Sequence, residues 1–333
     1  MTTVALPKSF VWRRVHSLFG LWIVLFLCEH LLTNSQAALW IGDDGNAFVR
    51  MVNLIHDLPY LEAIEIFLIG VPIGFHLVLG IKYLWSGKFN SYKTDGRKPS
   101  LPEYGRNRAY TWQRITSWIL LFLLIFHIAR FRFLEYPHEV VQGTSSVYLV
   151  KVQIDNGLYT VADRLGVALY DDNAIEREKE SLKNEGTGGS LIEAAESIRA
   201  KNEQPNEYDR HKGMILTSAQ AYLQRQKFID VVGRISLKTG EVIAASRSFG
   251  TATLLTVRDT FKNPIYVVIY TIFVLAACFH AFNGFWTFLI TWGFILSYAS
   301  QKKMVKVAIG LMVLVTFLGL AAIWGTYWVN LKY

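Results

Sequence analysis

The sequence predicts an all-α membrane protein, five transmembrane helices forming a bundle, with an extramembrane α+β insertion between helices three and four. Three observations carry that prediction. Five stretches stay apolar for as long as a bilayer is thick. Of the 333 residues 52% are hydrophobic and 14% aromatic, including ten tryptophans. Charge is also segregated: residues 137–262 hold 17 of the 26 acidic and 16 of the 34 basic residues, while the rest of the chain holds 18 bases against 9 acids. The net charge of +8 therefore sits beside the apolar spans, which indicates a membrane surface and not nucleic acid.

In order, the predicted spans are Val15–Gln36, Leu61–Trp85, Thr111–Ala129, a fourth beginning near Ile265 and a fifth over Met304–Trp328. The fourth run stays apolar to Leu296, too long for one upright span, so its later part with Trp286 and Trp292 is expected along the interface. The first apolar run is too long for a cleavable signal peptide and no small-residue cleavage site follows it. Cys28 and Cys278 lie inside apolar runs, where they read as small packing residues.

Orientation follows from the connections. Lys8, Arg13, Arg14, Lys82, Lys88, Lys93, Arg97, Lys98, Arg106, Arg108, Arg114, Lys302, Lys303 and Lys306 would share one side. The other side, outside the insertion, has Arg50, Arg130, Arg132 and Lys332. The positive-inside rule then makes the N-terminus cytoplasmic and the 137–262 insertion external. The chain accordingly divides into helices one to three (1–136), the insertion (137–262) and helices four and five (263–333).

Within the insertion, Val150–Ile154 and Leu158–Ala162 flank Asn156-Gly157, a hairpin signal. Ala174–Asn184, Leu191–Lys201 and Met214–Phe228 read as helices, the first two separated by Gly186-Thr187-Gly188-Gly189. Val231–Leu237 and Glu241–Ser246 suggest a second hairpin through Thr239-Gly240. The composition of 172–212 also allows partial disorder. No phosphate loop, metal-ligand cluster or nucleophile elbow occurs in the block, and His138 and His211 read as solvated.

Four of the five spans carry a deep histidine: His30, His76, His127 and His280. An imidazole at that depth is costly unless it is coordinated or paired. Each lies about sixteen residues, about 24 Å, from the end at which its span enters the membrane. Because the spans alternate in direction, His30 and His127 approach the external face, and His76 and His280 the cytoplasmic face. In an apolar core of about 30 Å the two levels are about 18 Å apart. Two histidines per level exclude the usual zinc donor set, whereas two bis-histidine haems stacked across the bilayer require this arrangement. A proton relay and simple hydrogen bonding are the competing readings.

The residues also carry a resemblance. Arg13-Arg14-Val15-His16-Ser17-Leu18-Phe19-Gly20, Glu29-His30-Leu31, Leu58-Pro59-Tyr60 with Ala63-Ile64-Glu65-Ile66-Phe67, Pro72 to His76 with Gly80, Gln113-Arg114-Ile115-Thr116 leading to His127, and Phe279-His280-Ala281-Phe282-Asn283-Gly284-Phe285-Trp286 follow one pattern. They resemble the cytochrome b subunit of succinate dehydrogenases of the single-polypeptide, two-haem type, a family shared with quinol:fumarate reductases. The resemblance implies two haem b groups with axial ligands His76 with His280 and His30 with His127. It implies a flavoprotein and an iron–sulfur subunit on the cytoplasmic side of a bacterial inner membrane, and a quinone acceptor, menaquinone. Arg14, His16 and Arg114 would reach the propionates of the inner haem, although ordinary positive-inside anchoring explains the arginines equally and a surface hydrogen bond would satisfy His16. Glu29 and Glu65 are candidates for proton exchange with quinone, beside Asn34 and Glu62 at the same level. The chain has no flavin fold or iron–sulfur cysteine set, so the resemblance makes it a subunit with no substrate-oxidising site of its own. A quinol:fumarate reductase anchor, or the di-haem subunit of another membrane dehydrogenase, is the alternative. The chain departs from the pattern in its long insertion and in Cys278, where some fumarate reductases carry a glutamate used in proton transfer.

Overall fold

The computed structural model describes residues 6–40, 42–87, 90–92, 100–142, 145–184, 187–200 and 210–332. It divides into two compact units: Met1–Leu134 with Thr260–Lys332, and Glu135–Asp259. Lys88, Lys93, Arg97 and Lys98 of the basic connection lie outside the described residues.

Among the described residues of the first unit, five helices are long and apolar enough to cross a membrane: Lys8–Ser35, Leu61–Ser86, Gly105–Leu134, Pro264–Thr291 and Tyr298–Leu331, spans one to five. The chain is a multi-pass membrane protein. Span four begins where Pro264 presets the first turn and Asn263 Oδ1 accepts from Ile265 N at 2.9 Å. Span five begins with Ser297 Oγ accepting from Ser300 N at 3.1 Å. The long apolar run between them is divided by Gly293, at φ +77°, directly behind the end of span four. Contrary to the sequence expectation, Trp286 therefore stays inside an unbroken helix, and Trp292 follows its last turn, donating from Nε1 to Ser17 Oγ at 2.9 Å.

Spans one and four form the centre. Span one packs against spans two, four and five, and span four against one, three and five. The diagonal partners, one with three and two with four, are not among the close-packed neighbours. Three π-helical turns, Glu65–Gly70, Ala129–Leu134 and Ala321–Gly325, interrupt spans two, three and five. Such turns disturb the regular carbonyl ladder; Leu68 O takes a hydrogen bond from Trp22 Nε1 at 2.5 Å. A short helix, α1 (Asn46–His56), unanticipated from the sequence, lies in the connection between spans one and two and buries Phe48.

The second unit is a four-stranded antiparallel sheet in the order β1-β2-β4-β3, with β1 His138–Gln142, β2 Ser145–Gln153, β3 Ala168–Tyr170 and β4 Glu241–Ser246. Its helices are α2 (Leu158–Leu165), α3 (Asp172–Asn184), α4 (Thr187–Ala200), α5 (Arg210–Val232) and α6 (Phe249–Thr260). Both faces are covered. Leu149 and Ile243 pack with Ile175, Leu182, Phe228 and Val232 from α3 and α5. Val152 and Ala244 pack with Leu158, Ala162, Ala252 and Leu255 from α2 and α6. A strand buried on two faces reads as a continuous apolar run, as β4 does.

Two sequence expectations fail here. Asn156-Gly157 closes no hairpin: Asp155 Oδ1 accepts from Gly157 N at 2.9 Å and the chain turns into α2, which lays Leu158 and Ala162, four residues apart, on the sheet. Val231–Leu237 is no strand either, because Val231 and Val232 finish α5, and β4 pairs with β2 and β3 instead. The helices expected over 174–228 are present; of the stretch whose composition allowed disorder, 185–186 and 201–209 lie outside the described residues, as does Gly186. His138 and His211 are exposed.

Candidate functional site: two facing histidine pairs

The four deep histidines meet as two pairs across the diagonals of the bundle. His30 and His127 have ring centroids 5.8 Å apart with planes at 82°. His76 and His280 are 6.2 Å apart at 83°. With metal–nitrogen bonds of about 2 Å, imidazoles on opposite sides of one iron have centroids about 6 Å apart. Among the described residues no cluster of three or more His, Cys, Asp or Glu could hold a metal ion. The donor chemistry is thus two imidazoles at each level.

The second ring nitrogen decides whether an imidazole is ready to ligate. His76 Nδ1 donates to the His16 carbonyl at 3.0 Å, which leaves its Nε2 lone pair for a metal. His280 Nδ1 lies 3.4 Å from Ser117 Oγ, and His127 Nδ1 lies 3.4 Å from the buried Tyr270 hydroxyl. Gln113 Nε2 donates to the His280 carbonyl at 3.1 Å, and Gln113 Oε1 accepts from Asn283 Nδ2 at 2.8 Å. Asn34 Nδ2 donates to the His30 carbonyl at 2.7 Å. Ser117, Tyr270 and the contacts of Gln113 escape a reading by depth alone, since they depend on how neighbouring helices are rotated. These residues fit two bis-histidine haem sites.

His16 is not a surface group. Its ring stacks on His76, centroids 4.0 Å apart and planes at 11°, and its Nδ1 is buried with no hydrogen-bond partner among the described residues. The two arginines hold helix ends. Arg14 Nη2 donates to Thr291 O at 3.2 Å, at the end of span four, and its guanidinium covers the Phe10 ring at 3.5 Å. Arg114, buried, donates to Tyr83 O and Leu84 O near the end of span two and to the Tyr110 hydroxyl. Unsatisfied carbonyls at a helix C-terminus and the negative end of its dipole both favour such cations.

The acidic candidates separate. Glu29 is exposed and accepts from Thr33 Oγ1 at 2.8 Å, one turn along its own helix. Glu65 pairs with Arg132 at 2.7 Å, joining the π-helical turns of spans two and three. Glu62 is exposed.

The chain is 32% identical over 122 residues to the succinate dehydrogenase cytochrome b558 subunit of Bacillus subtilis (strain 168), a match covering 36% of this chain and 54% of that protein. The chain thus spans about half the length of the curated relative it matches. No family model and no solved structure matches it.

Proposed function

We propose that the chain is the di-haem cytochrome b anchor of a succinate:quinone oxidoreductase in a bacterial inner membrane. The observation that carries this reading is the pairing of four membrane histidines, on diagonal spans, into two sets at the separation that two ligands of one iron need. The similarity to a cytochrome b558 subunit over half its length supports the choice of complex. Haem b, when bound at both pairs, would supply one-electron chemistry suited to a path between an iron–sulfur partner, itself joined to a flavoprotein, and a membrane quinone.

The chain's own residues hold and orient. His76 and His280 form the level nearer the N-terminal end, which the Lys and Arg distribution makes cytoplasmic. His30 and His127 form the external level, where Glu65, with Arg132 beside it, exchanges protons with the quinone. Ser117, Tyr270 and the His16 carbonyl fix the ligating rings through Nδ1. Cys278 is buried at the position where some fumarate reductases carry a glutamate used in proton transfer, which weakens the fumarate-reductase alternative.

The reading is tested by the visible spectrum and haem-to-protein ratio of the purified membrane protein. Two low-spin b haems per chain are expected. A folded, haem-free protein would overturn the proposal and leave the histidines as hydrogen-bonding groups.

A further inference from the structure

Spans one and two each carry a histidine followed four residues later by a glycine: His16 and Gly20, His76 and Gly80. The residues meet crosswise. A Cβ at Gly20 would stand 3.0 Å from His76 Cε1, and one at Gly80 would stand 3.6 Å from His16 Cε1. Each ring thus lies over the other helix's glycine, and close approach of small residues is what lets membrane helices pack this tightly. The outcome is the face-to-face stack of His16 on His76. Tyr83 also meets His16, in an edge contact with centroids 5.3 Å apart at 85°.

His16 therefore contacts His76 twice. Its carbonyl takes the Nδ1 proton, which aims Nε2, and its ring lies against the face of the imidazole. A hydrogen bond alone permits the ring to rock about the donor–acceptor line, and the stack opposes that motion. Among the described residues the ring neighbours of His30 and His127 make no such flat contact: Phe26 lies at 31° to His30, and Phe131, Phe273 and Tyr270 at 58°, 47° and 70° to His127.

We propose that His16 is a positioning residue that sets the plane of the His76 imidazole, and with it the angle to His280. The inference rests on the reading of His76 and His280 as axial ligands of one haem. The g tensor of a low-spin ferric haem with two imidazole ligands follows the angle between the ligand planes, and hydrogen bonding and packing around a ligand tune the potential. The effect should be confined to one of the two haems.

The experiment uses the purified full-length protein and reads electron paramagnetic resonance and redox titration. H76A is characterised first, to identify the haem it removes. H16L keeps the backbone carbonyl and removes the flat ring; it should retain both haems while shifting the largest g value and the midpoint potential of the H76A-sensitive haem alone. H16F restores a flat ring and should return both values most of the way to wild type. Wild-type values in H16L, or an H16F shift as large as that of H16L, would overturn the proposal. Should H16L fail to assemble, H16F compared with H16M answers the same question. A haem-free wild-type protein, or H76A and H280A depleting different haems, would instead remove the ligand assignment beneath it.

Discussion

Arg114 Nη2 donates to the Tyr83 carbonyl at 3.0 Å, so a side chain of span three closes the end of span two. The same nitrogen reaches Leu84 O at 2.9 Å. Gly87 lies over the guanidinium, and a Cβ there would fall 1.3 Å from Nη2. At φ −84° the backbone of Gly87 tolerates alanine, so any penalty of G87A acts through Arg114. R114A should destabilise by about 1–3 kcal/mol, since it strips charged hydrogen bonds from the part-buried carbonyls of Tyr83 and Leu84. G87A should destabilise the wild type but change R114A by less than about 0.5 kcal/mol, the mark of a shared mechanism. Thermal unfolding in detergent of the two single variants and the double variant measures this, and additive effects would contradict it.

The ring pairs make a sharper demand on haem content. H76A and H280A should deplete the same haem, and H30A and H127A the other, as read by reduced-minus-oxidised spectra. Depletion of different haems by H30A and H127A would break the pairing.

The ion pair of Glu65 with Arg132 is partly exposed, with side chains 32% and 42% accessible. E65Q keeps a side-chain oxygen for Arg132 Nη2, so the variant should still assemble with both haems. If Glu65 exchanges protons with quinone, E65Q should slow quinone reduction while haem reduction by succinate persists. Equal rates in E65Q and wild type would exclude the residue from the quinone site.

Charge asymmetry predicts sidedness. S190C in the insertion should react with an impermeant thiol reagent in intact cells, and S91C, in the connection between spans two and three, should not. The opposite labelling would invert the topology and exchange the two haem levels.

In the insertion, burial and then the neighbouring Glu178 carboxylate raise the Tyr170 phenol above its usual value of 10.0, with Arg225 opposing. A raised folded-state value means that the native state holds this proton more tightly than the unfolded chain. Its stabilisation is complete below pH 10 and is lost as pH rises through the folded value. Y170F should therefore flatten the decline in stability above pH 10, seen as a smaller drop in unfolding temperature. An unchanged alkaline slope would count against it.

The sequence by itself determined how deep each of His30, His76, His127 and His280 sits, because a helix advances a constant distance per residue and the lysines and arginines mark the ends of the spans. It also contained the two histidine–glycine repeats at four-residue spacing, since residues four apart share a helix face. Only the tertiary structure decided what those faces meet. The crosswise stack of His16 on His76, the closing of span two by Arg114 and the Ser117 and Tyr270 contacts depend on helix rotation about the long axis, which an all-round apolar span leaves undetermined. In the insertion the same holds for Asn156-Gly157. The dipeptide announced a turn, but the next element became α2 because Leu158 and Ala162, one helical turn apart, both had a sheet face to cover.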